Sequence, residues 1–481
     1  MGIKEKIYEH SPIWMQHLLT SAQGYNHAYV RVNPSVLADC FTFLQESQHW
    51  SLEQFQAYQV EQLQQVLGQA FTHVPYYRNI ARELGCRAED FTSLADLAKF
   101  PLLEKTALRG HEHEFLHEQI DYRKCNHFHT SGTTGTALHI YESRAAFSKR
   151  YAFVSRLRSW TGVPSPMMPH RAQFTGRNLI PASQNPRQHI YWRYNYPGRA
   201  LVCSMSNISA ETVPYFAKAL RDYRPDLIDG YPSALSLIAR LCLHKGIELP
   251  RPKAVITTAE TLFPEQRMEI KNAFGCPVYN QYAATEPSCF CADCEQGNMH
   301  ISPEYGIVEL VDDAGNLVPP GQEGQIVVTS FLNPAMPIIR YRLGDMAVAR
   351  DPNERCSCGR QMPMLERVLG RIDDILYAPG RGYILGMNRM FYGLDDVIEG
   401  QVVQEALDRI HVLIVPADNF SEQTRTKLHH KFVERFGDQV QIEVECVPAI
   451  NRGANGKFRQ TISSVRHLYP LYESESLVAG K

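Results

Sequence analysis

Apolar residues recur at helical spacing over residues 51–71, at Leu52, Phe55, Leu63, Val66, Leu67, Ala70 and Phe71, and Ser51 with Gln54 forms a capping-box signal at the start. This pattern predicts an amphipathic helix packed on a core. Over residues 250–350 the period shortens. The runs Val255-Ile256-Thr257-Thr258, Ile307-Val308-Glu309-Leu310-Val311 and Gln325-Ile326-Val327-Val328 alternate with Gly, Pro and Asp turns, which predicts a sheet with helices around it. After Asp374 the character changes again: an apolar run over 411–416, a polar helix-like segment over 421–436 and an alternating run over 441–447. That order is β-α-β, the minimum of a small α+β domain. No internal repeat or low-complexity tract interrupts the chain.

At 481 residues the chain exceeds one ordinary core. The boundary is expected at 372–373, giving a large domain over 1–372 and a small one over 373–481. A formal net charge of -2 offers no global attraction to nucleic acid or anionic lipid. No stretch approaches the ~20 consecutive apolar residues of a membrane span. The start MGIKEKIYEH has no apolar signal region, and Lys6 stands where a myristoylation motif needs Ser or Thr. The expectation is a cytoplasmic chain with small-molecule partners, no nucleic acid and no membrane; the sequence leaves its oligomeric state open, a homodimer included. Its 12 cysteines are too sparse for a disulfide scaffold, but Cys289, Cys291 and Cys294 form one tight cluster and Cys356 with Cys358 another. Such intracellular clusters point to metal first.

The stretch His129-Thr130-Ser131-Gly132-Thr133-Thr134-Gly135-Thr136 combines two glycines with five hydroxyls. Glycines let backbone N–H groups turn toward an anion and hydroxyls add donors, which suits a phosphate loop. Four later segments follow in order: Tyr282-Ala283-Ala284-Thr285-Glu286, Tyr341-Arg342-Leu343-Gly344-Asp345, Gly370-Arg371-Ile372-Asp373-Asp374 and Gly456-Lys457-Phe458-Arg459. Together the five resemble the ordered motifs of the superfamily of acyl-CoA synthetases, nonribosomal adenylation domains and luciferases. Val74-Pro75-Tyr76-Tyr77-Arg78, Pro101-Leu102-Leu103-Glu104-Lys105 and Gly230-Tyr231-Pro232-Ser233 are similar to segments of phenylacetate–CoA ligase-like enzymes. The C-terminal quarter looks closest to capsule-locus relatives of those ligases. Two departures stand out: Ala137-Leu138-His139 lacks the lysine that many members carry after the loop, and Ala283 replaces a usual glycine.

The resemblance implies an α/β fold with a large N-terminal adenylate-forming domain of mixed sheets and packed helices, plus a small mobile α+β C-terminal domain. It implies attack of a carboxylate on the α-phosphorus of ATP, which needs cations and oriented donors rather than a protein nucleophile. Ser131, Gly132, Thr133, Thr134, Gly135 and Thr136 would hold the phosphates. Glu286 would hold Mg²⁺, a hard ion that takes one or two carboxylates plus substrate oxygens, and Thr285 belongs to the same catalytic motif. Asp345 would accept the ribose hydroxyls, and Arg371 would reach the ribose or phosphates. Ala259, Glu260 and Tyr282 would border the adenine. Lys457, on a turn-rich segment, would neutralise carboxylate and α-phosphate together. The acceptor is CoA by default, with an amine or a carrier-protein thiol as alternatives, and tyrosines 231, 279 and 282 would suit an aryl acid.

Cys294, His300, Cys356 and Cys358 supply the four ligands of a closed tetrahedral zinc site, which would be structural and would pin two loops beside the active site. Related ligases carry a similar pattern; Cys289 or Cys291 could replace His300. Rival readings are a zinc-stapled regulatory protein on an inactive ligase fold, and a nucleic-acid binder built on the cysteines. The first would require loss of Lys457, Glu286 or Asp345, and the second a basic, aromatic-rich neighbourhood that is missing.

Overall fold

The computed structural model describes residues 3–468 apart from 130–137, 164–167, 177–178, 182–183, 372–375, 380, 385–386, 392–393, 395, 453–457 and 466–467. The phosphate-loop residues Ser131 to Thr136, the expected boundary at 372–373 and Lys457 therefore lie outside the described residues.

The helix read from the 51–71 pattern spans Leu52–His73. Ser51 Oγ accepts from the Gln54 amide at 3.2 Å, and the Gln54 side chain accepts from the Ser51 amide at 2.8 Å. Its Phe55, Leu63, Leu67 and Ala70 are buried. The last three join the same apolar cluster as Ile307, Ile326, Val328 and Tyr341, so this helix covers the sheet that carries the later motifs.

Among the described residues that sheet has 12 strands, one of them, Trp192–Asn195, lying antiparallel at the edge beside Ala200–Ser204. In one half, Ala200–Ser204, Arg171–Thr175, Leu227–Gly230, Ala254–Thr257 and Val278–Ala283 run parallel side by side. The helices Val213–Tyr223, Pro232–Lys245 and Pro264–Phe274 connect them, as parallel pairing requires a crossover between strands. In the other half, Phe290–Asp293, Met299–Ile301, Met364–Arg371, Tyr341–Ala349, Glu323–Ser330 and Gly306–Val311 pair antiparallel. The two halves meet inside Val278–Ala283. Its residues Val278, Tyr279 and Asn280 pair parallel with Val255, Ile256 and Thr257, whereas Gln281, Tyr282 and Ala283 pair antiparallel with Ala292, Cys291 and Phe290.

Beyond residue 375 a separate apolar cluster forms around Val402, Ile410, Val412, Ile414, Leu428, Phe432 and Phe436. Helix Glu422–Phe436 lies between Arg409–Pro416 and Gln441–Cys446, the β-α-β order read from the sequence. Two strands extend the sheet: Val397–Ala406, antiparallel to Arg409–Pro416, and Thr461–Ser463, parallel to Val397–Ala406. The whole is an α/β fold with a large mixed sheet and a smaller α+β unit at the C-terminal end. Among the described residues no helix is long and apolar enough to cross a membrane.

Strands Asn126–His129 and His139–Glu142 pair antiparallel on either side of the phosphate-loop segment. Glu142 closes this hairpin with a fully buried side chain, 3.2 Å from the Arg150 guanidinium. Arg150 and Arg31 both sit over the Phe128 and Phe147 rings, at 5.2–5.7 Å. Burial pushes the Glu142 carboxyl up to about 7, with Arg150 and then Arg31 acting the other way. Between about pH 4.5 and 7 the folded chain thus keeps a proton that the unfolded chain has released, so stability from this group is present at low pH and lost as pH rises through 7. We expect the unfolding free energy to fall by roughly 3 kcal/mol at most between about pH 5 and 8 on account of this group. Glu142→Gln should flatten that part of the profile in urea titrations, and an unchanged slope would refute it.

Candidate active site

The change of pairing inside Val278–Ala283 brings residues from three separate sequence motifs together. Tyr282 OH donates to Asp345 Oδ2 at 2.7 Å. Asp345 lies opposite Arg371 on the neighbouring strand, and Arg371 Nε is 3.7 Å from Asp345 Oδ1. The glycines before each residue explain the motif: Gly344 has φ +77° and Gly370 φ +106°, the left-handed region where a side chain would be strained. A Cβ on Gly370 would also sit 3.1 Å from Thr261 Oγ1. The register shifts just after Asp345, between Met346 and Ala347, a bulge that twists the strand at this point.

Glu286 follows the same strand and is buried, whereas Thr285 beside it is exposed. Burial raises the Glu286 carboxyl pKa, with its own amide, Lys105 and Arg371 lowering it and Asp345 raising it. Burial, then the Glu286 charge, raises the Tyr341 phenol, with Arg371 and Arg109 lowering it, so its buried hydroxyl stands beside the Glu286 carboxyl. Lys105 opens the short helix Lys105–Leu108. Sequence reasoning gave Lys105 and Tyr341 no role in the site. Both stood in quoted motifs, but the two segments meet only in the folded chain, through the bridge between Leu103 and Tyr341 and the Arg342–Glu104 ion pair.

The parallel strands end against this group. The Thr258 amide donates to the Gly230 carbonyl at 3.1 Å, and the chain then turns at Ala259, a non-glycine residue at φ +68°. Such strain survives only where the surroundings enforce it, and it gathers at functional sites. Glu260 follows. Its Oε2 accepts from the Ser233 amide at 3.1 Å and its Oε1 from the Phe458 amide at 3.0 Å. The Glu260 carboxylate thus faces the first turn of helix Pro232–Lys245 and the C-terminal segment. The three tyrosines expected to share an aryl pocket are not gathered: Tyr279, Tyr282 and Tyr231 pack against three different apolar clusters. Tyr279 and Tyr282, an odd number of positions apart, point to opposite faces of their strand.

Cys294, His300, Cys356 and Cys358 place one ligand atom each within 4.8 Å of one another. The Cys294 and Cys356 sulfurs are 3.6 Å apart, and Cys358 Sγ is 3.4 Å from His300 Nε2. His300 Nδ1 lies 3.1 Å from the Met362 carbonyl, which assigns the proton to Nδ1 and leaves the Nε2 lone pair facing the sulfurs. Burial lowers the His300 pKa to about 4, so the ring is neutral. Amides of Gln296 and Cys358 and the Asn298 side chain point at the Cys294 and Cys356 sulfurs, at 3.2–3.5 Å. Cys289 and Cys291 stand apart from this group, buried in the main apolar cluster. The expectation placed this group on two loops beside the active site; the sheet puts it at the end of the strands away from Arg371. His300 pairs with Met364, the first residue of an eight-residue strand, and Arg371 is the last, roughly 23 Å away at ~3.3 Å per step.

Residues 124–332 match the AMP-binding enzyme family, and residues 376–464 match the CapK C-terminal domain. The chain is 28% identical to Protein CapK of Staphylococcus aureus, covering 96% of this chain and 99% of CapK. It is 28% identical to the phenylacetate-coenzyme A ligase of Thermus thermophilus over 68% of this chain and 73% of that ligase. Its fold is similar to 2-hydroxyisobutyryl-CoA ligase holding an acyl-AMP in the postadenylation state, at 20% identity and a TM-score of 0.69, over 90% of this chain and 94% of that one. The same ligase in the thioesterification state gives a TM-score of 0.56 over the same shares. With residues 124–332 and 376–464 each matched to a family model and Tyr282, Asp345 and Arg371 converging from three strands, the chain belongs to the adenylate-forming superfamily, in its phenylacetate–CoA ligase-like branch near CapK, and is an AMP-forming carboxylic acid ligase.

Proposed function

We propose that the chain activates a small carboxylic acid with ATP and passes the acyl group to CoA. The observation that carries this reading is the convergence of Tyr282, Asp345 and Arg371 beside buried Glu286, since no packing need alone would collect them. Asp345 accepts the ribose hydroxyls and Arg371 steadies the ribose or phosphates. Residues 131–136 take the phosphates, and Ala259, Glu260 and Tyr282 line the adenine end. Glu286, with Thr285 in its motif, would hold Mg²⁺, an ion that would supply charge neutralisation for phosphate oxygens there. Lys457 compensates the charge where the carboxylate meets the α-phosphate. A division into a large domain over 1–372 and a small one over 373–481, turning about Asp373, would let one site serve adenylation and then transfer. CoA as acceptor is supported by the phenylacetate-coenzyme A ligase similarity. The presence of Glu286 and Asp345 in one site runs against an inactive scaffold.

Acid-dependent exchange of labelled pyrophosphate into ATP across a panel of acids, followed by product analysis with and without CoA, tests this. Formation of ADP in place of AMP would exclude it. Asp345→Asn should raise the KM for ATP roughly tenfold or more, the scale of a hydrogen bond to a charged group. Glu286→Gln should weaken the Mg²⁺ dependence. Lys457→Ala should slow adenylation by about two to three orders of magnitude, while barely changing transfer from acyl-AMP supplied ready-made; equal loss in both steps would remove Lys457 from the chemistry.

Three thiols and one neutral imidazole make a donor set suited to Zn²⁺, and with four protein ligands the ion would be structural. Purified protein should carry about one zinc per chain. Cys356→Ser should lower both zinc content and thermal midpoint, with little change in the KM for ATP, because the group lies at the far end of the strands from Asp345. Chelator-free preparations without zinc would end the assignment.

A further inference from the structure

The helix Pro232–Lys245 begins without a side-chain cap of its own: Tyr231 occupies the N-cap position and offers no acceptor. Its Ser233 amide is instead met by Glu260 Oε2 from the neighbouring strand end, a carboxylate at a helix N-terminus. The second oxygen of the same carboxylate receives the Phe458 amide at 3.0 Å. That amide is the peptide nitrogen joining Phe458 to Lys457. One residue further on, the chain belongs to the other body: Gln401 Nε2 donates to the Arg459 carbonyl at 2.7 Å, and the Val402 amide to the Gln460 carbonyl at 2.8 Å.

Arg452 approaches from the other side of the segment. Its guanidinium lies 4.7 Å from the centre of the Phe458 ring, pairs with Glu399 and reaches Ser233 Oγ at 3.4 Å. Glu260 and Ser233 therefore belong to the large sheet's side, Glu399 and Arg452 to the C-terminal unit, and Phe458 sits between them.

We propose that Glu260 is a positioning residue for adenylation, whose carboxylate clamps the C-terminal segment at Phe458 against the first turn of helix Pro232–Lys245. The proposal rests on the adenylation reading for its catalytic consequence, although the clamp itself is a property of the chain without substrates. Each carboxylate oxygen has a separate partner, one in each body, so removal of the side chain uncouples the segment without removing a group that touches ATP phosphates. Loss of the clamp leaves the segment sampling other positions, which lowers kcat for the adenylation half-reaction and spares transfer.

Hydrogen exchange of the full chain, read by mass spectrometry on peptides covering 451–460, tests the clamp with no substrate present. Glu260→Ala should speed exchange there roughly tenfold or more, the scale expected for an amide bonded to a charged acceptor. Peptides from Val397–Ala406 should stay as in the wild type. Glu260→Gln, which keeps a carbonyl acceptor, should recover part of the protection. Phe458→Pro deletes the same hydrogen bond from the donor side and decides the matter if Glu260→Ala fails to fold. Wild-type protection at 451–460 in whichever of these two variants is folded would overturn the clamp. With an acid that supports pyrophosphate exchange, Glu260→Ala should lower kcat for adenylation about tenfold and spare transfer from supplied acyl-AMP. Equal loss in transfer overturns the positioning role. If the wild type exchanges pyrophosphate with no acid, the adenylation reading fails, and the exchange data still decide the clamp.

Discussion

The change of partner within strand Val278–Ala283 is the constraint on which the site depends. A strand in a wholly parallel layer ends at its carboxyl edge, and ligands bind in the crevice beyond that edge. Here Asn280 is the last residue paired to the parallel layer, and Gln281 the first paired to the antiparallel one. The crevice beyond Gly230 and Thr257 therefore has a second wall, built from Tyr282, Asp345 and Arg371. The wall is sensitive to register because slipping a strand by one residue turns every side chain to the other face. Gly344 and Gly370, both left-handed, set that register where Asp345 and Arg371 meet.

Electrostatics at this wall follow from the same arrangement. Asp345 has one oxygen bonded to Tyr282 and the other toward Arg371, so it is oriented before any nucleotide arrives. Glu286 is buried beside it, with burial driving its carboxyl toward protonation and the Lys105 and Arg371 charges opposing this. Two carboxylates and two cations drawn from four segments meet around the buried Glu286, and preorganised charge of this kind is what a phosphoryl centre requires.

Much of this architecture is legible in the sequence because the elements involved obey a single period. Leu52–His73 keeps a helical stripe and a capping box, and the runs at 255, 307 and 325 are β-branched and bounded by turn residues. Strand Val397–Ala406 escapes such reading because it buries Gln401 and Gln404, polar residues satisfied by the distant carbonyls of Arg459 and Tyr377. The cysteine clusters were legible in the sequence, with the resemblance to related ligases favouring Cys294, His300, Cys356 and Cys358, but the group's place at the far end of the strands depends on the pairing of His300 with Met364, which is a property of the sheet. Lys105 and Ser233 are likewise found only when the chain is folded, since the partners of each lie far along the sequence.

The contacts between the large sheet's side and the C-terminal unit are of a kind that can separate. Ile398 packs on the cluster behind helix Pro232–Lys245, and Arg240 on that helix binds the carbonyls of Val397 and Ile398 while facing Glu269 at 3.2 Å. The other named links, Glu260 to Phe458 and Arg452 to Ser233, are polar. Water can replace each of these hydrogen bonds when the faces part, so the net cost per bond is about 0.5–1.5 kcal/mol, rising to roughly 1.5–3 where a charge takes part. An apolar face of similar extent would charge its whole burial energy against separation. Polar links are the kind found where two packed units can part, and Glu260 stands foremost among them because its two carboxylate oxygens hold the Ser233 and Phe458 amides at once.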